Sequence, residues 1–151
     1  MTNKINPEEL KQVRRRRITG VAIASGYHQG TTHGMTANNF NSLALSPPTV
    51  IVNLHHSTRT QKIIKDGWGF GVSILNSKQL NLMKRFAGEI DQRRSLFKVV
   101  EKFTMTTGAP LIAKSSASLN CEVVHSFDVG STTVFIEEAL EARIAVKDQE
   151  P

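Results

Sequence analysis

The strongest constraint on how this chain can fold is a six-residue run, TVIVNL at positions 49–54, that follows Pro47 and Pro48. Its β-branched content suits a buried strand, and neither proline donates a backbone hydrogen bond, so the preceding element stops there. Similar short runs recur along the chain. FGVSIL at 70–75 has strand character, and Ala117, Leu119, Cys121 and Val123 alternate with Ser118, Asn120 and Glu122 as a half-buried strand does. Residues 18–25 read as a strand, 26–30 as a turn, and 132–136 as the start of another strand.

Helical signals are fewer. Over residues 6–17, Asn6 suits the N-cap, Pro7 the first helical position, and Glu8 and Glu9 the positive end of the helix. Leu10, Val13 and Arg17 would share a stripe. Residues 60–65 predict a second, short helix, and Ser77 can cap a third carrying Leu80, Met83, Phe86 and Ala87 at spacings of three and four. Residues 33–45 mix small, polar and apolar side chains without a clear period, and 88–110 read as a polar excursion with a short helix. Strands with so few helices between them do not build a doubly wound parallel sheet. The expectation is a mainly β fold, an antiparallel barrel with peripheral helices, in a single domain spanning residues 1–151.

Composition narrows the function classes. No run approaches the roughly 20 apolar residues needed to span a bilayer, and the N-terminus lacks the apolar stretch of a secretory signal. Cys121 is the only cysteine, so an intrachain disulfide is impossible and a reducing, cytoplasmic setting fits. The net charge of +6 is concentrated at Lys11 and Arg14, Arg15, Arg16 and Arg17. That run reads as a solvated helix face with some capacity for an anionic ligand. A nucleic-acid partner is not expected, because no zinc-ligand spacing accompanies the charge and only one Trp and one Tyr could stack on bases. The histidines are His28, His33, His55, His56 and His125. His55 and His56 are adjacent and would face opposite sides of a strand, with no carboxylate or cysteine to complete a metal set. Cys121 falls on the apolar side of its strand as inert packing.

The most informative chemistry lies at 33–48, HGMTANNFNSLALSPP. Thr36, Asn38, Asn39 and Ser42 cluster polar groups beside Gly34, Ala37 and Ala44, whose small side chains permit close backbone approach. That mixture suits a flat heteroaromatic ring, and equally an ordinary polar loop. Ser57, Thr58, Arg59 and Thr60 follow the buried strand and open a helix. Hydroxyls, a guanidinium and free N–H groups there suit a phosphate, and equally a plain N-cap. Arg85 and Phe86 end the third helix, with Phe86 on its apolar stripe and therefore divided between core packing and ligand contact.

Taken together and in order, these segments resemble the flavin reductase-like family built on the FMN-binding split barrel, the short-chain reductases of two-component monooxygenases. The family pattern reads approximately G-M-T-A-N-S/A-F-T-S-V-S-L-D-P-P after a strand beginning T-G-V. Here Thr19-Gly20-Val21 precedes Gly34-Met35-Thr36-Ala37-Asn38-Asn39-Phe40 and Pro47-Pro48. The likeness runs on through 49–54, 70–75, 79–87, Gly108-Ala109-Pro110 and 133–136, covering roughly residues 13–144.

The resemblance implies a Greek-key split barrel, a homodimer, and an NAD(P)H-dependent flavin reductase. Such an enzyme transfers a hydride from NADH or NADPH to FMN or FAD and serves a monooxygenase partner. It implies that Met35, Thr36, Ala37, Asn38, Asn39, Ser42 and backbone near Ala44 line the isoalloxazine, with Arg85 and Phe86 beside it. It also places the flavin phosphate at Ser57, Thr58, Arg59 and Thr60. The sequence departs from the pattern at Asn41 and Ala44, where Thr and Ser are usual. Many members carry G-D-H near the nicotinamide site, where this chain has Gly130-Ser131-Thr132. Thr132 can hydrogen-bond but cannot carry charge, which implies weaker nicotinamide binding. The alternative implied by that loss is a non-enzymatic flavin-binding protein on the same scaffold. No residue is assigned to acid–base catalysis, because hydride transfer between two organic cofactors depends mainly on distance and orientation.

Overall fold

The computed structural model describes residues 4–17, 20–37, 39–87 and 96–145. In chain order it has α1 (Pro7–Arg15), β1 (Ala22–His28), β2 (Thr31–Ala37), β3 (Asn41–Leu45), β4 (Pro48–His55) and α2 (Arg59–Gly67). These are followed by β5 (Gly69–Ile74), α3 (Leu80–Phe86), β6 (Lys102–Phe103), β7 (Leu111–Ile112), β8 (Ala117–Val129) and β9 (Thr132–Ile144). Among the described residues, seven strands form one sheet in the order β2-β1-β5-β8-β9-β4-β3, antiparallel at every pairing, and β6 pairs with β7 separately. The hydrogen-bonded order leaves β2 and β3 as edges. The sheet nevertheless curls over one interior, because Ala37 of β2 and Val50 of β4 belong to the same buried cluster as Ala24, Phe70, Cys121 and Phe135. The mainly antiparallel β class expected from the short apolar runs is the one observed.

Local chemistry accounts for several boundaries. The Asn6 side chain accepts from Glu9 N–H while Glu9 reaches back to the Asn6 N–H, a reciprocal cap that starts α1. The helix ends at Arg15, so Arg17 lies beyond it and not on a stripe with Leu10 and Val13. The third helix starts differently from expectation. Asn76, not Ser77, provides the cap, and a 3-10 turn over Ser77–Gln79 precedes α3.

The turn expected at 26–30 is shorter, because β1 continues through Gly26 to His28 and only Gln29 and Gly30 turn, both at positive φ. Gly26 serves a close approach instead. A Cβ there would lie 2.9 Å from Ile64 Cγ1 and 3.0 Å from Ile63 Cγ2, so its absence lets α2 settle directly on β1. Gly34 does the same on the other side of β2, where a Cβ would come within 2.7 Å of the Phe97 ring. The segment at 33–45 that showed no period supplies two edge strands, β2 and β3, from opposite ends of the sheet. Edge strands covered by helices or bared to solvent need not alternate as a central strand does.

Candidate active site

The turn from β4 into α2 is built by its own side chains. Thr58 caps the helix, its hydroxyl accepting from Gln61 N–H at 3.3 Å and donating to the His55 carbonyl at 2.8 Å. His55 Nδ1 accepts the Ser57 backbone N–H at 3.1 Å and lies 2.7 Å from Ser57 Oγ. An accepting Nδ1 puts the His55 proton on Nε2. Ser57 and Arg59 are exposed, whereas Thr60 is wholly buried. The first N–H groups of α2 have no partner within the helix, so an exposed hydroxyl, a guanidinium and backbone donors share one corner of the surface.

The ring-binding candidates are distributed over two faces of β2. His33, Met35 and Ala37 face the interior side, where Met35 and Ala37 join the main cluster. The His33 Nδ1 lies 2.7 Å from Thr60 Oγ1, which ties β2 to the first turn of α2. Gly34 and Thr36 face the opposite side, toward α3 and Phe97, and Thr36 Oγ1 donates to the Met83 carbonyl at 2.7 Å. The Thr36 hydroxyl is therefore engaged by α3. Asn39 Oδ1 accepts from Arg14 at 3.3 Å and Asn41 Oδ1 from Arg17 at 3.2 Å, which moors α1 to this segment. Ser42 and Ala44 lie on the exposed edge strand β3, with a register shift between them. Asn38 lies outside the described residues.

Arg85 is half-buried at the end of α3. Phe86 is buried, and its ring stacks at a tilt on Phe97 with centroids 4.9 Å apart. Of its two readings, core packing is the one this contact supports. Cys121 is fully buried, and burial with Glu137 nearby pushes its thiol up to about 12, so it carries no thiolate. Among the described residues no three of His, Cys, Asp and Glu come together as a metal set.

Thr132 is half-buried at the base of the β8–β9 turn and pairs in register with His55 and Val129. Beside it runs a polar chain that sequence reasoning did not find. Gln61 Nε2 donates to Thr133 Oγ1 at 3.0 Å, Thr133 donates to Asp128 Oδ1 at 2.8 Å, and His56 Nε2 meets the same oxygen at 3.1 Å. The bonds to Thr133 and His56 hold the Asp128 carboxyl below its ordinary range. Gln61 and Thr133, like His56 and Asp128, are 72 positions apart in sequence; the register of β4 on β9 and of β8 on β9 brings them together. The nearest sequence signal was the adjacent pair His55-His56, whose rings make separate hydrogen bonds, His55 to Ser57 and His56 to Asp128.

The His33–Thr60 bond joins β2 to the first turn of α2. Residues 14–151 match the family model described as flavin reductase like domain. The chain is 36% identical over 119 residues to the NADH-dependent flavin reductase StyB of Pseudomonas fluorescens, covering 78% of this chain and 67% of that one. The native-state structure of the flavin reductase PheA2 superposes with a TM-score of 0.86 at 28% identity, covering 96% of this chain and 92% of that one. The Streptomyces globisporus NADH:FAD oxidoreductase SgcE6, solved with NAD and FAD fragments, gives a TM-score of 0.83 at 29% identity, covering 99% and 90%. With the same fold, a match over most of its length and this identity to a reductase, the chain belongs to the flavin reductase-like family.

Proposed function

We propose that the chain carries out its family's reaction with the flavin ring along β2 and the following residues to Asn39, and the flavin phosphate at the N-terminus of α2. The protein is an NAD(P)H:flavin oxidoreductase acting on FMN or FAD. The observation that supports the placement is the His33–Thr60 bond, which fixes the strand of the ring segment against the helix of the phosphate segment. The donor set fits a phosphate ester. Ser57 and Arg59 are exposed and supply a hydroxyl, a guanidinium and the first N–H of α2, while Thr58 is committed to capping the Gln61 N–H and holds the turn in shape.

When bound, the flavin accepts a hydride from the nicotinamide. The residues of this chain bind and orient. Met35 and Ala37 give the ring an apolar flank, Asn38 and Asn39 supply polar groups at its edge, and Ser42 and backbone near Ala44 border it from β3. Arg85 stands at the end of α3 as a cation for the flavin edge. Thr132 offers the nicotinamide a hydroxyl and no charge. Distance and orientation supply most of the catalysis in such a transfer.

A homodimer accounts for surface that the monomer leaves bare. Leu43 and Leu45 on edge strand β3 are exposed at 52% and 88%, and α1 buries none of its residues, leaving Leu10 and Val13 open. A flavin-dependent monooxygenase is the proposed consumer of the product. No helix among the described residues is long and apolar enough to cross a membrane, and the lone cysteine suits a reducing cytoplasm.

The placement is tested by replacing Ser57 with Ala and Arg59 with Gln together. Each lost charge-assisted bond is worth about 1.5–3 kcal/mol, so FMN should weaken by roughly tenfold or more while riboflavin, which lacks the phosphate, keeps its affinity. Equal losses for both ligands would remove these residues from the phosphate.

A further inference from the structure

His33 is the titratable group at this site that neither hydride transfer nor phosphate capture has used. It is half-buried on β2, with Nδ1 2.7 Å from Thr60 Oγ1. Burial, and then the Arg59 guanidinium, hold it below the usual histidine range, so the ring is neutral in the free protein at neutral pH. Arg59 is the charge that bears on it from α2. From β1, His28 pairs with Thr31 and so shares the face of His33. Lys62, Lys65 and Asp66 lie on the exposed side of α2, with Lys62 and Asp66 paired at 3.1 Å. Residues of α3 and the Phe97 turn pack on the opposite face of β2, through Thr36 and Gly34.

Resting on the phosphate placement above, we propose that His33 is a second, conditional cation of that seat, neutral when the seat is empty and protonated when a flavin phosphate occupies it. A phosphate ester carries about −1.5 to −2 charges at neutral pH. Set against Arg59 and the first turn of α2, it offsets the guanidinium field that now opposes protonation and adds an attraction of its own. The proton balance is simple. One proton from solvent joins the imidazole, both ring nitrogens then carry hydrogen, and Nδ1–H donates to Thr60 Oγ1. No other bond changes. A permanently charged His33 would place two cations together in a partly desolvated corner with no anion between them, which costs stability. A cation that forms only with its counter-ion avoids that cost.

Linkage fixes the sign of the effect. If phosphate favours the protonated ring, protons favour phosphate equally, so FMN affinity rises as pH falls through the titration of His33. Riboflavin, with no phosphate, gains nothing. FMN's own phosphate takes up a proton near about pH 6, which weakens binding at low pH, and in free FMN this titration is the same whichever variant is measured.

The experiment measures FMN and riboflavin affinities from about pH 8 down to about pH 6 for wild type and His33→Gln, which keeps a hydrogen-bonding group toward Thr60. It also follows the wild-type imidazole resonances of His33 with and without each ligand. The ratio of wild-type to variant FMN affinity should climb as pH falls, by up to about tenfold for each unit that phosphate raises the imidazole. The His33 resonances should shift to the charged form with FMN and stay neutral with riboflavin. Parallel pH profiles for the two proteins, or a ring that stays neutral with FMN, overturn the proposal while leaving the phosphate seat standing. If Ser57→Ala with Arg59→Gln lowers FMN and riboflavin affinity equally, the seat itself is wrong and the role of His33 falls with it.

Discussion

Thr133 and Glu137 stand on the same face of β9, with Phe135 between them, and both are buried, at 1% and 0% exposure. Their surroundings differ completely. Thr133 accepts from Gln61 and donates to Asp128, so both capacities of its hydroxyl are used. Glu137 pairs in register with Val50 and Val123, and neither carboxyl oxygen has a hydrogen-bond partner among the described residues. Burial pushes the Glu137 carboxyl up to about 9. The end of β9 beside the β4–α2 turn is polar, connected and close to the proposed site. Its middle holds a neutral carboxylic acid surrounded by Val50, Val123 and Phe135. The sheet dictates which residues face inward, but only neighbours from other elements satisfy a polar group once it is there.

The largest expected effect tests the unsatisfied end. Glu137 binds its proton in the folded chain up to about pH 9 but in the unfolded chain only to an ordinary 4.5, so the folded state holds more protons between those values. Stability therefore falls as pH rises through that window and levels off above it. By neutral pH the loss is on the order of 3 kcal/mol. Glu137→Leu should raise stability by about 2–4 kcal/mol at neutral pH and flatten the slope, measured by denaturant unfolding across the window. A variant less stable than wild type with the slope intact would mean that the carboxyl is partnered in solution.

The satisfied end should respond with the opposite sign. Thr133→Val keeps the shape but strands the buried Gln61 amide, at a cost of about 1–3 kcal/mol. A neutral result in the same unfolding assay would erase the contrast between the two regions. A smaller functional effect tests the neighbouring position. Thr132→His restores a chargeable, flat side chain next to His55 and should lower the KM for NADH with little change in kcat, the signature of binding gained equally in ground and transition states. Unchanged constants would separate this position from the nicotinamide. The smallest effect belongs to the exposed His56–Asp128 pair, where His56→Ala should barely move stability because solvent screens the interaction. A large loss there would show that the polar chain acts as one cooperative unit.

The same contrast marks what was legible in the sequence. The apolar runs at 49–54 and 70–75 announced β4 and β5, of which β5 is buried along nearly its whole length and β4 alternates buried with half-buried residues. The caps Asn6 and Thr58 were local, and their bonds lie where short-range spacing puts them. β2 and β3 stayed hidden, since one is braced by helices through Gly34 and Thr36 and the other lies bare at an edge. Alternation with Phe135 points Glu137 inward, but a charged residue ordinarily argues outward, and only the pairing with Val50 and Val123 settles the matter. At the site, Ser57 to Thr60 were legible as a helix start, with Thr58 as its cap. The roles of His33 and His56 were not, because each depends on a side chain distant in sequence, Thr60 and Asp128.

This chain belongs to a family of flavin reductases, and we propose that it moves hydride from a reduced nicotinamide to a flavin held between β2 and α2. The most direct measurement is the oxidation of NADH by purified protein, followed with and without added FMN. The account predicts NADH consumption that depends on both the protein and the flavin, with bleaching of the flavin's visible absorption when oxygen is removed. Tight flavin binding with no NADH consumption at any nicotinamide concentration would contradict it and leave a flavin-binding protein without reductase activity.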